Sequence, residues 1–114
     1  MKVVAFDPSM RVTGAACVSD GGARLVDTVL IMVPDKGDAM DRCASLFADA
    51  ASYLADMDPD VIVVETPAEK GRHPDAWGYS GRSALSMPVY GMAVGVVMAA
   101  AIAHTKARPG RAFV

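Results

Sequence analysis

The sequence predicts an α/β domain on a mixed sheet, and three stretches carry that expectation. Val3 to Phe6 is a short apolar run with β-branched residues that stops at Asp7-Pro8-Ser9, a set of turn formers. Pro8 supports the stop, because it has no N–H to continue a ladder and disfavours helix at the residue before it. Thr13 to Val18 resumes as a second strand. Arg24 to Val33 reads as a third after the turn signal Ser19-Asp20-Gly21-Gly22, so strands one to three form an antiparallel meander. The last stretch is Asp60 to Pro67, where Val61-Ile62-Val63-Val64 reads as a strand buried on both faces, as in a parallel sheet covered by helices.

Two helices flank these strands. The first follows the connector Pro34 to Asp38, with Asp38 as its N-cap and acids favoured in its first turn. Met40, Cys43, Phe47, Ala50, Leu54 and Met57 recur at helical spacing and are expected as one buried stripe. Asp41, Arg42, Ser45, Asp49, Ser52 and Asp56 are expected to form the wet face, and Asp58-Pro59-Asp60 ends the helix. The second helix is expected over Met87 to His104, capped by Ser86 with Pro88 in its first turn. Its apolar run would span roughly 22 Å, short of a bilayer core, so no membrane partner is expected. Gly91, Gly95, Ala99 and Ala103 recur every fourth residue, a smooth strip for close approach either to the chain's own sheet or to a second helix. Ala112-Phe113-Val114 resembles the start of a further strand.

The 114 residues suit one domain, 1–114, and at 53% hydrophobic and 21% charged the composition is globular, not disordered. Net charge is −2, without a global basic footprint. It is unevenly placed: residues 1–65 hold five Lys/Arg against eleven Asp/Glu, and residues 66–114 hold six against two. That asymmetry suits an acidic metal-binding end and a basic side facing nucleic acid. Cys17 and Cys43 lack metal-ligand spacing and read as buried thiols in a reducing cytoplasm.

The chemistry converges on Asp7 and Glu65, each at the carboxyl end of an apolar strand, where ligands bind in open α/β sheets. On neighbouring strands the two would face each other across a crevice, and would either share a proton or hold a divalent ion such as Mg²⁺ or Mn²⁺. From Thr66 to Gly81 runs a long polar segment containing Lys70, Arg72, His73, Trp77 and Tyr79, with Arg82 just beyond. Basic residues interleaved with aromatics beside an acidic site fit phosphate contact with base stacking or wedging; the same pattern also fits a solvated loop with Trp77 packed back on the domain. His73 reads as a solvated loop histidine rather than a metal ligand.

Asp-Pro-Ser-x-x-x-Thr-Gly at the end of the first strand, followed by Val-Ile-Val-Val-Glu and then Gly81-Arg82-Ser83-Ala84-Leu85, resembles the RuvC family of Holliday-junction resolvases, phage-borne members above all. The resemblance covers nearly the whole chain. It implies a ribonuclease H-like fold, three antiparallel strands with the Glu65 strand parallel beside the first, flanked by helices. It further implies Mg²⁺- or Mn²⁺-dependent hydrolysis of branched DNA by a two-metal mechanism, with Asp7 and Glu65 as catalytic metal ligands. Lys70, Arg72 and Arg82 become phosphate contacts, and Trp77 and Tyr79 residues that insert at the junction. A homodimer contact is implied at Gly91, Gly95 and Ala99, since the family pairs two subunits to cut two strands. Two departures stand out. Ser9 occupies a position where the family usually has Gly, and the family's later strand, helix and remaining metal-binding acids do not follow Val114. The chain as given is expected to bind a four-way junction and to cleave it poorly or not at all. Two other classes fit part of the pattern: a non-catalytic module that recognises structured DNA, and a fragment of an actin-like ATPase, which opens with a similar Asp–turn–Thr/Gly phosphate loop.

Overall fold

A computed structural model describes residues 1–66, 86–108, 110, 112 and 113. Five strands form one sheet in the order β3-β2-β1-β4-β5. They are β1 (Val3–Asp7), β2 (Val12–Ser19), β3 (Arg24–Met32), β4 (Val61–Val64) and β5 (Ala112–Phe113), with helices α1 (Ala39–Met57) and α2 (Ser86–Ala107) between them. β1 pairs antiparallel with β2, and β2 with β3, while β4 runs parallel to β1 and β5 parallel to β4. This is the mixed sheet expected from the meander and the Val-Ile-Val-Val strand.

Local chemistry explains the boundaries. The β2–β3 connection is a tight turn in which Asp20, Gly21 and Gly22 all have positive φ, a conformation that glycine adopts without strain. A register shift between Cys17 and Val18 accompanies it. Asp38 caps α1 in a full capping box: its carboxylate accepts from Asp41 N at 2.9 Å, and the Asp41 carboxylate accepts from Asp38 N at 3.2 Å. The helix ends at Asp58 in the left-handed conformation, with Pro59 blocking continuation. The Asp58 carboxylate lies 3.0 Å from Arg108 Nε and 3.7 Å from His104 Nε2, tying the last turn of α1 to that of α2.

Among the described residues, the core lies between the two helices and one face of the sheet. Val4, Phe6, Ile62 and Val64 point inward from β1 and β4, and Thr13, Ala15 and Cys17 do so from β2. Leu46, Ala50 and Leu54 of α1 and Ala93, Val97, Ala100 and Ala101 of α2 meet them, and Tyr53 sets its ring edge-on to Phe6 at 6.3 Å. By length and composition alone, Pro88–Ala107 is apolar enough to cross a membrane, yet it is this core helix.

Four expectations are corrected by this packing. β4 is not buried on both faces, because the described helices cover only one; Val63 is 37% exposed on the other. The inward stripe of α1 is Leu46, Ala50, Tyr53 and Leu54, with Cys43 and Met57 partly buried, whereas Met40 is 78% and Phe47 39% exposed. Both protrude at a groove beside α2, since α1 divides its apolar surface between sheet and helix. Arg42 and Ser45, assigned to the wet face, are half-buried. Cys17 is fully buried, and burial raises its thiol pKa; Cys43 is only partly covered, and both thiols are free.

The packing predicts a contrast between two chemically identical substitutions. Leu46→Ala, at a fully buried position, should lower unfolding stability by about 2–5 kcal/mol. Leu25→Ala, at a position 62% exposed, should change it by no more than about 0.5 kcal/mol. Urea denaturation of the two variants checks this; equal losses would mean that the core is misplaced.

Candidate metal centre at the β1–β4 sheet edge

Asp7 and Glu65 occupy matching positions on adjacent parallel strands. The pairing matches Val3 with Val61 and continues to Phe6 with Val64, which puts Asp7 beside Glu65 as the next pair. Side chains alternate along each strand, so the buried pairs Val4/Ile62 and Phe6/Val64 force Asp7 and Glu65 onto the opposite, exposed face together. The register is pinned at both ends. At the carboxyl end Glu65 N donates to Phe6 O at 3.0 Å. At the amino end Lys2 O accepts from Asp60 N and Val61 N, Lys2 N donates to the Asp60 carboxylate at 2.8 Å, and Lys2 Nζ donates to Met57 O at 2.9 Å.

The turn after Asp7 is also rigid. Ser9 N donates to Thr13 Oγ1 at 3.0 Å, and the Thr13 hydroxyl donates back to Ser9 O at 2.7 Å. Thr13 is fully buried, so this reciprocal pair fixes the route by which β1 leaves the site and β2 returns. Gly14 lies opposite Asp7, where a methyl group would stand 3.9 Å from Asp7 Cβ; glycine leaves the space over the carboxylate open without relieving a clash.

Both carboxylates line a groove of about 660 Å³ on the helix-free face of the sheet, floored by Ala5, Ala16 and Val63 and walled by Leu30. Two side-by-side carboxylates match the hard, oxygen-only donor set of Mg²⁺ or Mn²⁺, which retain water ligands and commonly take one or two protein carboxylates plus a phosphate oxygen. Among the described residues, no cluster of three or more His, Cys, Asp or Glu side chains could hold a metal ion.

Of the other residues singled out from the sequence, Lys70, Arg72, Trp77, Tyr79 and Arg82 lie outside the described residues. Gly91, Gly95 and Ala99 are exposed on α2, and Cβ atoms added at Gly91 and Gly95 would meet nothing within 4 Å. The strip therefore does not pack on the chain's own sheet. Gly95 and Ala99 instead line the groove into which Met40 and Phe47 project. Sequence reasoning missed Arg11 and Arg42, which converge beside the Ser9 turn. They are 31 positions apart on different elements, and no local pattern joins them.

No protein-family model matches the chain. It is 34% identical over 67 residues to the crossover junction endodeoxyribonuclease RuvC of Pelobacter propionicus, a match covering 57% of this chain and 38% of that protein. It is 33% identical over 67 residues to the RuvC of Trichlorobacter lovleyi, with the same coverage. These matches therefore span well under half the length of the relatives. Among solved structures, Thermus thermophilus RuvC in complex with a Holliday junction substrate superposes with a TM-score of 0.71 at 21% identity, covering 91% of this chain and 59% of that one. A second T. thermophilus RuvC structure gives 0.67 at 22% identity with the same coverage. The chain thus has the ribonuclease H-like fold of RuvC and resembles in sequence the RuvC crossover junction endodeoxyribonucleases, as the motifs around Asp7 and Glu65 implied.

Proposed function

We propose that the chain is a single ribonuclease H-like domain acting as a metal-dependent endonuclease on Holliday or other branched DNA junctions. The observation that carries this reading is the register-locked placement of Asp7 and Glu65 on one exposed face at the carboxyl edge of the sheet. In this reading Asp7 and Glu65 would hold the metal. A divalent ion bound there supplies Lewis acidity and a water acidic enough to act as a nucleophile near neutral pH. The protein's own part is placement: the Glu65 N to Phe6 O hydrogen bond and the Ser9–Thr13 pair fix the backbone that carries both carboxylates, which keeps the two side chains on one edge before substrate arrives.

Lys70, Arg72 and Arg82 contribute phosphate contacts in this reading, and Trp77 and Tyr79 stack on or wedge apart junction bases. The two free thiols fit a cytoplasmic protein. A second copy of the chain is the partner suited to α2. Gly91, Gly95 and Ala99 form a smooth strip on a helix whose Val89 and Ile102 are also exposed, and a two-fold dimer presents two sites to a junction of matching symmetry.

The reading makes two predictions. Incubated with a four-way junction and Mn²⁺, the chain should form a retarded complex and cleave slowly, because a second ion needs ligands beyond this carboxylate pair. That cleavage should disappear in Glu65→Gln while binding persists. A chain that binds no junction, or cuts equally well as Glu65→Gln, would contradict the proposal. Sedimentation should show a dimer that Gly95→Leu shifts toward monomer by forcing the strip apart; a monomer at every concentration before mutation would refute the dimer.

A further inference from the structure

Ser9, Arg11 and Arg42 border a separate pocket, of about 330 Å³, that the carboxylate site does not use. It lies on the helix side of the sheet edge, where the β1–β2 turn meets the first turn of α1 and Tyr90 of α2. From this pocket we infer that the chain has a phosphate subsite, distinct from the carboxylate pair, that grips the sugar–phosphate backbone of the nucleic acid beside the cleavage position.

Three observations support it. Arg42 is half-buried and spends one arm of its guanidinium on the turn, donating from Nη2 to Met10 O at 3.1 Å. Its Nε is buried without a hydrogen-bond partner, so this guanidinium already carries a dehydrated donor whose cost an acceptor would offset. Secondly, the pocket's positive charge is unspent. The ion pairs among the described residues join Asp58 to His104 and Arg108, and neither Arg11 nor Arg42 shares one. Asp35 also borders the pocket, leaving two guanidiniums against one carboxylate. Thirdly, the turn offers further donor capacity. The Ser9 hydroxyl oxygen accepts from Arg11 N at 3.3 Å, which leaves its own hydrogen available to an acceptor in the pocket.

The guanidinium of Arg11, the unspent donors of Arg42 and the Ser9 hydroxyl make a donor set for a tetrahedral oxyanion. Position selects its source. Ser9 is two residues from Asp7 in a turn held rigid by Thr13, so an ion at the carboxylates and a phosphate in this pocket would sit on either side of one sheet edge. A strand draped across that edge meets both. The inference rests on the nucleic-acid reading above, and it gives Ser9 a function that glycine at that position could not provide.

The test combines equilibrium binding with arginine-detected NMR. Junction affinity is measured in EDTA across a salt series for the chain, Arg11→Ala, Arg42→Gln and Ser9→Gly. Arg11→Ala and Arg42→Gln should each weaken binding roughly tenfold. Each should also flatten the slope of log K against log salt by about 0.7–0.9, the loss of one phosphate contact. Ser9→Gly should weaken binding without changing the slope, since it removes a hydrogen bond and no charge. The Nε–H resonance of Arg42 should move on adding junction DNA and respond far less to inorganic phosphate. A role for Arg42 in merely holding the turn would leave that resonance unmoved by DNA. Tight binding by the chain with unchanged slopes in both arginine variants overturns the subsite and leaves the functional reading intact. Failure of the chain to bind any junction removes both. A resonance that follows inorganic phosphate but not DNA also overturns the inference, marking a small-anion site.

Discussion

The register of β1 against β4 is the constraint on which the rest depends. In a strand pair a slip of one residue turns every side chain to the other face. A slip of β4 against β1 would send Glu65 toward the helices and bring Val63 into the core, burying a carboxylate among Phe6, Leu46 and Val97. The cost of an uncompensated buried charge makes that arrangement inaccessible. The hydrogen bonds at both ends reinforce the choice: Lys2 with Asp60 and Met57 at one, Glu65 N to Phe6 O at the other. Hydrophobic patterning and polar termini therefore select one register, and that register puts two acids on one edge.

The same packing makes the molecule two-sided. Both described helices lie on one face of the sheet, which becomes a closed core, while Leu30 at 68% exposure and Val63 remain on the other. The carboxylates open onto this second face and the arginine pocket onto the first, separated by the turn from Asp7 to Thr13. A single stiff turn is thus shared by two chemically opposite surfaces. Its rigidity comes from the buried Thr13 hydroxyl, whose partners are backbone groups of Ser9.

Much of this was legible in the sequence because it is local. Asp7-Pro8-Ser9 ends a strand by turn chemistry, Val61 to Val64 can hardly be anything but a strand, and Asp38 is an N-cap readable from its place before the helix. What failed depended on partners. The α1 stripe was only partly right, sharing Ala50 and Leu54 with the observed one, because an amphipathic pattern does not say how a helix shares its apolar side between sheet and helix, so Met40 and Phe47 were buried in expectation and exposed in fact. β4 was read as doubly covered because its residues are apolar on both faces, and composition cannot tell a helix-covered face from an open groove. Arg42 looked like a solvated charge, since nothing in its neighbours' identities announces a carbonyl from the β1–β2 turn.

The central claim is that Asp7 and Glu65 act together on one divalent ion, and a double-mutant cycle in Mn²⁺ affinity tests it most directly. Calorimetric titration of the chain, Asp7→Asn, Glu65→Gln and the double variant gives the coupling between the two side chains. Sharing an ion predicts that each single substitution weakens binding by roughly tenfold or more and that the double variant is little worse than either. Losses that simply add, or a Glu65→Gln chain that binds Mn²⁺ as tightly as the parent, would show that the two carboxylates do not form one site.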